Sequence, residues 1–380
     1  MIKVTHIITG LNVGGAEMML YKLLTYTPEG TCDSEVISLT TVGPIGEKIR
    51  TLGIPVHEVG LHRGLFAPSG FFKLVGLIRK RNPEVIQTWL YHADVLGSFA
   101  VFLSGKNISI VWGIRMSNLS KSFSKLSTKF MARIGAIMSY WVPRKVVCVS
   151  ESAKKVHEKL GYKTANMVVI PNGFDLEKFY PDAKARSLVR AGLRVPQDAL
   201  LVGYVARFDK QKDHHTFVKA AKILSSAFPQ AHFVLCGRDV SWNNREFVQW
   251  IQEVELRDAF HLLGERDDIS QLTAAFDVAT LTARYGEGFP NVVGEAMACG
   301  VPCVVTDVGD AADIVADTGV VAEIGNAESI ARGWGAVLSM KEENRAALGK
   351  KARERVTKLF SIDRVVREYY NLYQDVCSKS

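Results

Sequence analysis

The densest chemistry in this sequence lies in Arg284-Tyr-Gly-Glu287-Gly-Phe289-Pro290-Asn291-Val292-Val-Gly-Glu295-Ala-Met-Ala-Cys-Gly300-Val-Pro302. Pro290 suits the first position of a helix and Gly300 the residue just past its end, so the spacing predicts a helix of about nine residues. Glu287 then lies in the preceding loop, and Glu295 lies inside the helix, one turn beyond the Asn291 amide. Carboxylates at two depths beside one helix N-terminus can accept hydrogen bonds from the vicinal hydroxyls of a ribose and a sugar while the terminal amides hold phosphate. The plainer alternative is a capping Glu plus a buried, paired one. Against it, Glu295 sits among small apolar residues, where a carboxylate without a task is costly.

Two further groups point to an anionic ligand. Arg207 and Lys212 occur in Val205-Ala-Arg207-Phe-Asp-Lys-Gln-Lys212-Asp213, just before a helix that Asp213 can cap. Cations gathered at helix-terminal amides make a diphosphate clamp, although this segment alone would read as a solvated charged loop. Gly14 and Gly15, in Gly10-Leu-Asn-Val-Gly14-Gly15-Ala-Glu17, open a helix after the first strand, where a ligand phosphate can approach backbone N–H groups. A tight strand-to-helix turn fits them equally well, and the segment is neither Gly-x-Gly-x-x-Gly nor a P-loop. His92, in Trp89-Leu-Tyr-His92-Ala-Asp94, follows a strand and reads either as a site residue or as a capping or packing histidine.

These residues need strand ends to hold them. Short β-branched runs at 2–9, 34–40, 56–59, 85–88, 108–112 and 146–149 alternate with amphipathic stretches, and a second series follows at 200–206, 232–236, 259–263, 278–281 and 302–306. That rhythm predicts βαβ units on two parallel sheets, with a boundary in the polar region 171–195. A chain of 380 residues, 47% hydrophobic and 23% charged, has matter for two cores and lacks the bias of a disordered or fibrous protein. Six scattered cysteines and nine histidines show neither a disulfide framework nor zinc spacing, so no metal site is expected. The first ten residues read as a core strand, not a leader, and no window spans a bilayer, so a cytoplasmic protein is expected.

Charge is unevenly spread. Residues 1–170 hold 21 Lys+Arg against 10 Asp+Glu, whereas the remainder holds 26 against 29. The basic half could face an anionic surface or substrate, or be an ordinary solvated face. Within it, Lys121, Lys125, Lys129 and Arg133 recur every four residues beside Phe123, Leu126, Phe130, Ile134, Ile137 and Trp141. A helix over 121–141 of this kind can lie on anionic lipid or pack its apolar face on the sheet.

Taken together, Gly14-Gly15, Pro171-Asn-Gly-Phe-Asp175, Arg207 with Lys212, and Glu287-(x7)-Glu295 resemble the retaining nucleotide-sugar glycosyltransferases of glycosyltransferase family 4, along essentially the whole chain. The resemblance implies an α/β GT-B fold: two Rossmann-like parallel-sheet domains facing across a cleft. An N-terminal acceptor-binding domain would span 1–175 and a C-terminal donor domain 176–360, with a helix at 361–380 returning to the first domain. It implies a UDP-sugar donor, with Glu295 on the ribose, Glu287 on the donor sugar, and Arg207 and Lys212 on the diphosphate. Phe289, Pro290, Asn291 and Val292 would approach sugar and phosphate, Gly264 and Arg266 the base, and Gly14 and Gly15 would complete the phosphate site.

Arg207, Lys212 and Glu287 are the residues it implies in catalysis. No cofactor or metal is implied, and the sequence holds no Asp-x-Asp. Two departures stand out. Where many members carry a histidine, this chain reads Trp112-Gly-Ile-Arg115, which makes Arg115, like His92, a candidate for sugar or acceptor contact. The family's Gly-Gly-x-x-Glu is replaced by Gly309-Asp310-Ala-Ala-Asp313.

The expected acceptor is a growing surface glycan of O-antigen, capsule or exopolysaccharide type, linked to polyprenyl diphosphate at the inner face of the membrane. No nucleic-acid partner is expected. A sugar-nucleotide epimerase or hydrolase of the same fold is one alternative. A noncatalytic, membrane-associated partner of another transferase is the other, and it would have no use for the four charged residues.

Overall fold

The computed structural model describes residues 1–61, 68–117 and 126–378. They form two units: Met1–Gly173 together with Ile362–Ser380, and Phe174–Ser361. In the first, strands β1 (Ile2–Ile8), β2 (Cys32–Ser38), β3 (Val56–Glu58), β4 (Val85–Trp89), β5 (Ser109–Ile114), β6 (Lys145–Cys148) and β7 (Met167–Val169) make one sheet in the order β3-β2-β1-β4-β5-β6-β7. Every pairing is parallel. The connecting helices are α1 (Gly15–Tyr26), α2 (Gly43–Arg50), α3 (Pro68–Arg81), α4 (Tyr91–Ser104), α5 (Leu126–Met138) and α6 (Glu151–Leu160). Central strands covered on both faces are buried along their length, as Val4 to Ile8 and Val85 to Trp89 are, and their polar residues are hydrogen-bonded: Thr5 donates to Glu35, Trp89 to His6, and Thr88 to Asp94. Strand order reverses between β1 and β4, the place where open parallel sheets leave a crevice at the carboxyl ends of their strands.

The second unit repeats the plan. Helix α7 (Ala183–Leu193) precedes β8 (Leu200–Val205), α8 (His214–Ala227), β9 (Ala231–Cys236), α9 (Arg245–Glu253), β10 (Phe260–Leu262), α10 (Ile269–Ala274) and β11 (Val278–Leu281). Then come α11 (Asn291–Ala298), β12 (Cys303–Thr306), α12 (Ala311–Val315), β13 (Gly319–Ala322), α13 (Ala327–Leu338) and α14 (Glu342–Phe360). The sheet order is β10-β9-β8-β11-β12-β13, all parallel, with its reversal between β8 and β11.

The last helix, α15 (Ile362–Ser378), belongs to the first unit. Its Val365, Val366, Tyr369 and Tyr373 are buried with Met19, Leu20 and Leu23 of α1 in one apolar cluster. Among the described residues, no helix is long and apolar enough to cross a membrane.

The polar stretch 181–198 differs from the connector its composition suggested. Asp182 caps α7 by accepting from the Ala185 amide at 2.9 Å. Arg190 then reaches into the second unit, fully buried, and pairs with Asp277 at 2.7 Å while donating to the Gln197 and Ala199 carbonyls. A charged run thus contributes to a core because Arg190 finds a carboxylate and backbone carbonyls there, with Arg186 on the same carboxylate.

Candidate functional site

In the second unit the loop after β8 is pinned from below. Tyr204 Oη and Thr282 Oγ1 both donate to the Lys212 carbonyl, at 2.6 and 2.8 Å. Asp213, at φ 51°, accepts from the Thr216 amide as the cap of α8, and its carboxylate also holds Arg284 Nε at 2.6 Å. With its backbone fixed, Lys212 directs Nζ to Glu287 Oε1 at 2.6 Å, and Gln211 Nε2 donates to the same oxygen at 2.9 Å. The two side chains are 13% and 10% exposed, so water screens this ion pair little. Removing one member would leave a largely buried charge uncompensated, a loss of about 3–5 kcal/mol. Arg207 lies farther out, solvent-exposed, its guanidinium held by Asp209 at 3.3 Å and Gln211 at 3.2 Å.

The loop carrying Glu287 is propped by Gly309. Its φ is 63°, and a Cβ there would lie 2.3 Å from the Glu287 carbonyl oxygen, so only glycine allows this approach. The Asp310 backbone N–H also donates to the Gly288 carbonyl at 3.1 Å.

Pro290 proves to be the cap of α11 and not its first helical residue, because its ψ of 104° is extended; Asn291 takes the first position. The far end matches the spacing. Gly300, at φ 71°, donates to the Met297 carbonyl and Val301 to that of Ala296, at 2.9 and 3.0 Å, which closes a Schellman turn. Glu295 is half-buried in the wall of a small cavity with Val292, Ile269, Thr273 and Phe276. The Phe289 ring faces inward, stacked on Phe174 with centroids 6.0 Å apart and edge-on to Phe360 at 5.3 Å. What Phe289 can offer a ligand is therefore backbone.

Backbone hydrogen bonds tie the predicted donor segments into one rim at the carboxyl ends of the strands. Arg284 N donates to Gln211 O at 2.8 Å, Phe208 N to Arg238 O at 2.8 Å, and Gly237 N to Gly264 O at 2.8 Å. Arg266, next on this rim, forms a bidentate pair with Asp268. The rim thus brings together Arg207, Lys212, Gly264, Arg266, Glu287 and the start of α11. Gln211 and Arg284 also build it. Neither has a spacing that marks it in sequence, because each acts through a tertiary partner.

In the first unit Gly14 caps α1, and the Glu17 side chain turns back over it. Burial raises the pKa of the Glu17 carboxyl, partly offset by its own amide and by the Arg115 charge. His92 is half-buried in the first turn of α4, after Leu90 at φ 75° and ψ 152°, a conformation that costs a non-glycine residue of order 1–3 kcal/mol. Arg115 is drawn into the packing. It donates to Tyr369 Oη at 3.3 Å and to Asn172 Oδ1, and lies over the Trp89 ring at 5.0 Å; burial lowers its pKa. Asn118, Lys121, Phe123 and Lys125 lie outside the described residues.

Comparison with known proteins adds the following. Residues 13–178 match the family model "Glycosyltransferase Family 4" and residues 186–355 the model "Glycosyl transferases group 1". A curated Escherichia coli relative, UDP-Gal:alpha-D-GlcNAc-diphosphoundecaprenol alpha-1,3-galactosyltransferase, is 24% identical over 99% of this chain and 97% of its own. The Campylobacter jejuni N,N'-diacetylbacillosaminyl-diphospho-undecaprenol alpha-1,3-N-acetylgalactosaminyltransferase is 25% identical over 90% of this chain and 91% of its own. Among solved structures, Anabaena HepE in complex with UDP superposes with a TM-score of 0.86 at 22% identity, covering 98% of this chain and all of that one. That last likeness shows the shared GT-B fold.

Proposed function

The chain belongs to glycosyltransferase family 4, and on that premise we propose that it transfers a sugar from a UDP-sugar to a lipid-linked glycan precursor, with retention of anomeric configuration and without a metal. The observation that carries this reading is the Lys212–Glu287 pair, 2.6 Å long and little exposed, on the same rim as the amides of α11. An ammonium and a helix N-terminus fixed in advance stabilise charge that develops on a departing diphosphate, and fixed donors need no reorganisation as the bond breaks. Arg207 adds an exposed cation that can close on the diphosphate from solvent. Glu287, oriented by Lys212 and Gln211, accepts from donor-sugar hydroxyls. Glu295, one turn into α11, accepts from the ribose.

The anomeric carbon loses its bond to the β-phosphate oxygen as the acceptor hydroxyl attacks on the same face. The hydroxyl proton passes to the released phosphate oxygen. Positioning and electrostatics do the work, and no side chain is required as nucleophile. The acceptor class draws support from the Escherichia coli and Campylobacter relatives, whose names specify diphosphoundecaprenol-linked substrates, and the UDP donor from the former.

The test incubates the protein in EDTA with UDP-sugars and a synthetic polyprenyl-diphosphate-linked sugar, and determines the product anomer by NMR. An α-linked product from an α-linked donor is expected. A β-linked product would overturn retention, a strict metal requirement would overturn metal independence, and UDP release without glycosylated acceptor would favour a hydrolase.

A further inference from the structure

Helix α5 is built inside out for a sheet-covering helix. Ala132, Gly135 and Ala136 are the residues it buries, while Phe130 and Ile137 are 60% and 65% exposed and Trp141, in the turn after it, 80%. Lys129, Phe130, Arg133 and Ile137, at i, i+1, i+4 and i+8, share the outward face. The small inward residues let the helix lie close to its neighbours, so packing does not explain the large outward ones.

The neighbouring helix does the same. In α4, Phe99 and Phe102, at i and i+3, are exposed, Phe102 at 82%. The helices adjoin: α3 packs on α4 and α4 on α5, and Arg79 near the end of α3 donates to the Leu103 and Ser104 carbonyls at the end of α4. The only carboxylate within α3, α4 and α5 is Asp94, which is buried. The exposed charged side chains between and beside the apolar ones are cationic, among them Lys73, Lys106 and Arg133, and the other exposed polar ones, such as Ser69, Asn107 and Ser127, are neutral.

We propose that this helical face of the first unit binds the surface of an anionic lipid bilayer, with Phe102, Phe130, Ile137 and Trp141 entering the headgroup region and the lysines and arginines meeting lipid phosphates. A second copy of a uniformly cationic face would repel the first, whereas an anionic bilayer complements it in charge and accepts scattered aromatic anchors. The inference goes beyond the transfer reaction and does not rest on it.

The test is co-sedimentation of the full chain with phosphatidylglycerol–phosphatidylcholine vesicles, with UDP-induced thermal stabilisation read in the same samples. Binding to the mixed vesicles and not to phosphatidylcholine alone is expected. Lys129→Gln/Arg133→Gln should weaken it about tenfold or more, and Phe102→Ser/Phe130→Ser comparably, each with the UDP response intact. Should a serine variant misfold, quenching of wild-type tryptophan fluorescence by brominated lipid, diminished in Trp141→Phe, reads the same contact. Wild-type protein left in the supernatant with every vesicle would overturn the proposal. So would an apolar variant that binds as well as wild type, or wild-type self-association abolished by the same substitutions without vesicle binding.

Discussion

At the scale of single residues, the Lys212–Glu287 pair sets two separable consequences. Lys212→Ala should lower turnover by about 10²-fold, the usual effect of removing one fixed donor to a developing anion, and should also lower unfolding stability, because Glu287 is then left without its ammonium partner. Lys212→Met/Glu287→Gln should regain stability in urea unfolding while turnover stays low; recovery of turnover would remove Lys212 from the leaving-group site. Asp94 gives a pH signature. Burial pushes its pKa up to about 8, although Oδ1 accepts from Thr88 Oγ1 at 2.5 Å and from the Gly113 amide. The folded protein therefore holds a proton that the unfolded chain, with an ordinary carboxyl pKa of about 3.9, releases. Stability contributed by this group is complete below that lower value and is lost as pH rises toward about 8. Asp94→Asn should raise the unfolding midpoint at pH 8 relative to wild type and change it little at pH 4; equal effects at both would contradict the assignment. Glu287 and Lys212 could each be singled out from their places beside predicted helix starts; that they pair could not, because 75 residues separate them. The inward turn of Arg115 was not, since its partners Asn172 and Tyr369 are remote in sequence.

At the scale of elements, α11 shows how closely a short helix is placed. A Cβ on Gly294 would lie 2.1 Å from the Phe174 ring, which itself stacks on Phe289. Gly294→Ala should therefore cost about 1–3 kcal/mol by overpacking and, by shifting the helix start, weaken UDP binding as well. Calorimetry that finds wild-type stability and affinity would show the helix position to be unimportant. The β–α rhythm and the Pro290-to-Gly300 helix could be read from spacing, because turn and cap residues act locally. Helix α7 could not, because its polar composition makes sense only with Asp277 opposite Arg190. Strands β7 and β13 lie outside the predicted series; each stands at the edge of its sheet and is only partly buried, so it has no continuous buried apolar run to read. In α5 the apolar period was plain, yet the sequence left open which way it faced; the structure turns the large residues outward.

At the scale of the molecule, the chain completes its first unit last. Removal of residues 362–380 would strip Val365, Val366, Tyr369 and Tyr373 from the cluster they share with α1. Loss of large buried side chains costs several kcal/mol each, so the truncated chain should show a much reduced melting temperature and early proteolysis within residues 1–173. A truncated protein melting like wild type would deny the helix that role. The excess of base in residues 1–170 belongs to this same unit, and helices α3 to α5 carry Lys73, Arg79, Lys80, Arg81, Lys129 and Arg133 of it against Asp94 alone. The account as a whole turns on whether the rim of the second unit holds a nucleotide sugar. The most direct measurement is thermal-shift titration, in EDTA, of UDP and a panel of UDP-sugars against wild type, Glu295→Ala and Glu287→Ala, each referred to its own unliganded midpoint. The account predicts stabilisation of wild type by UDP, loss of the response to both ligand classes in Glu295→Ala, and loss of only the sugar-dependent increment in Glu287→Ala. Folded wild-type protein indifferent to every nucleotide, or equal losses in the two variants, would contradict it.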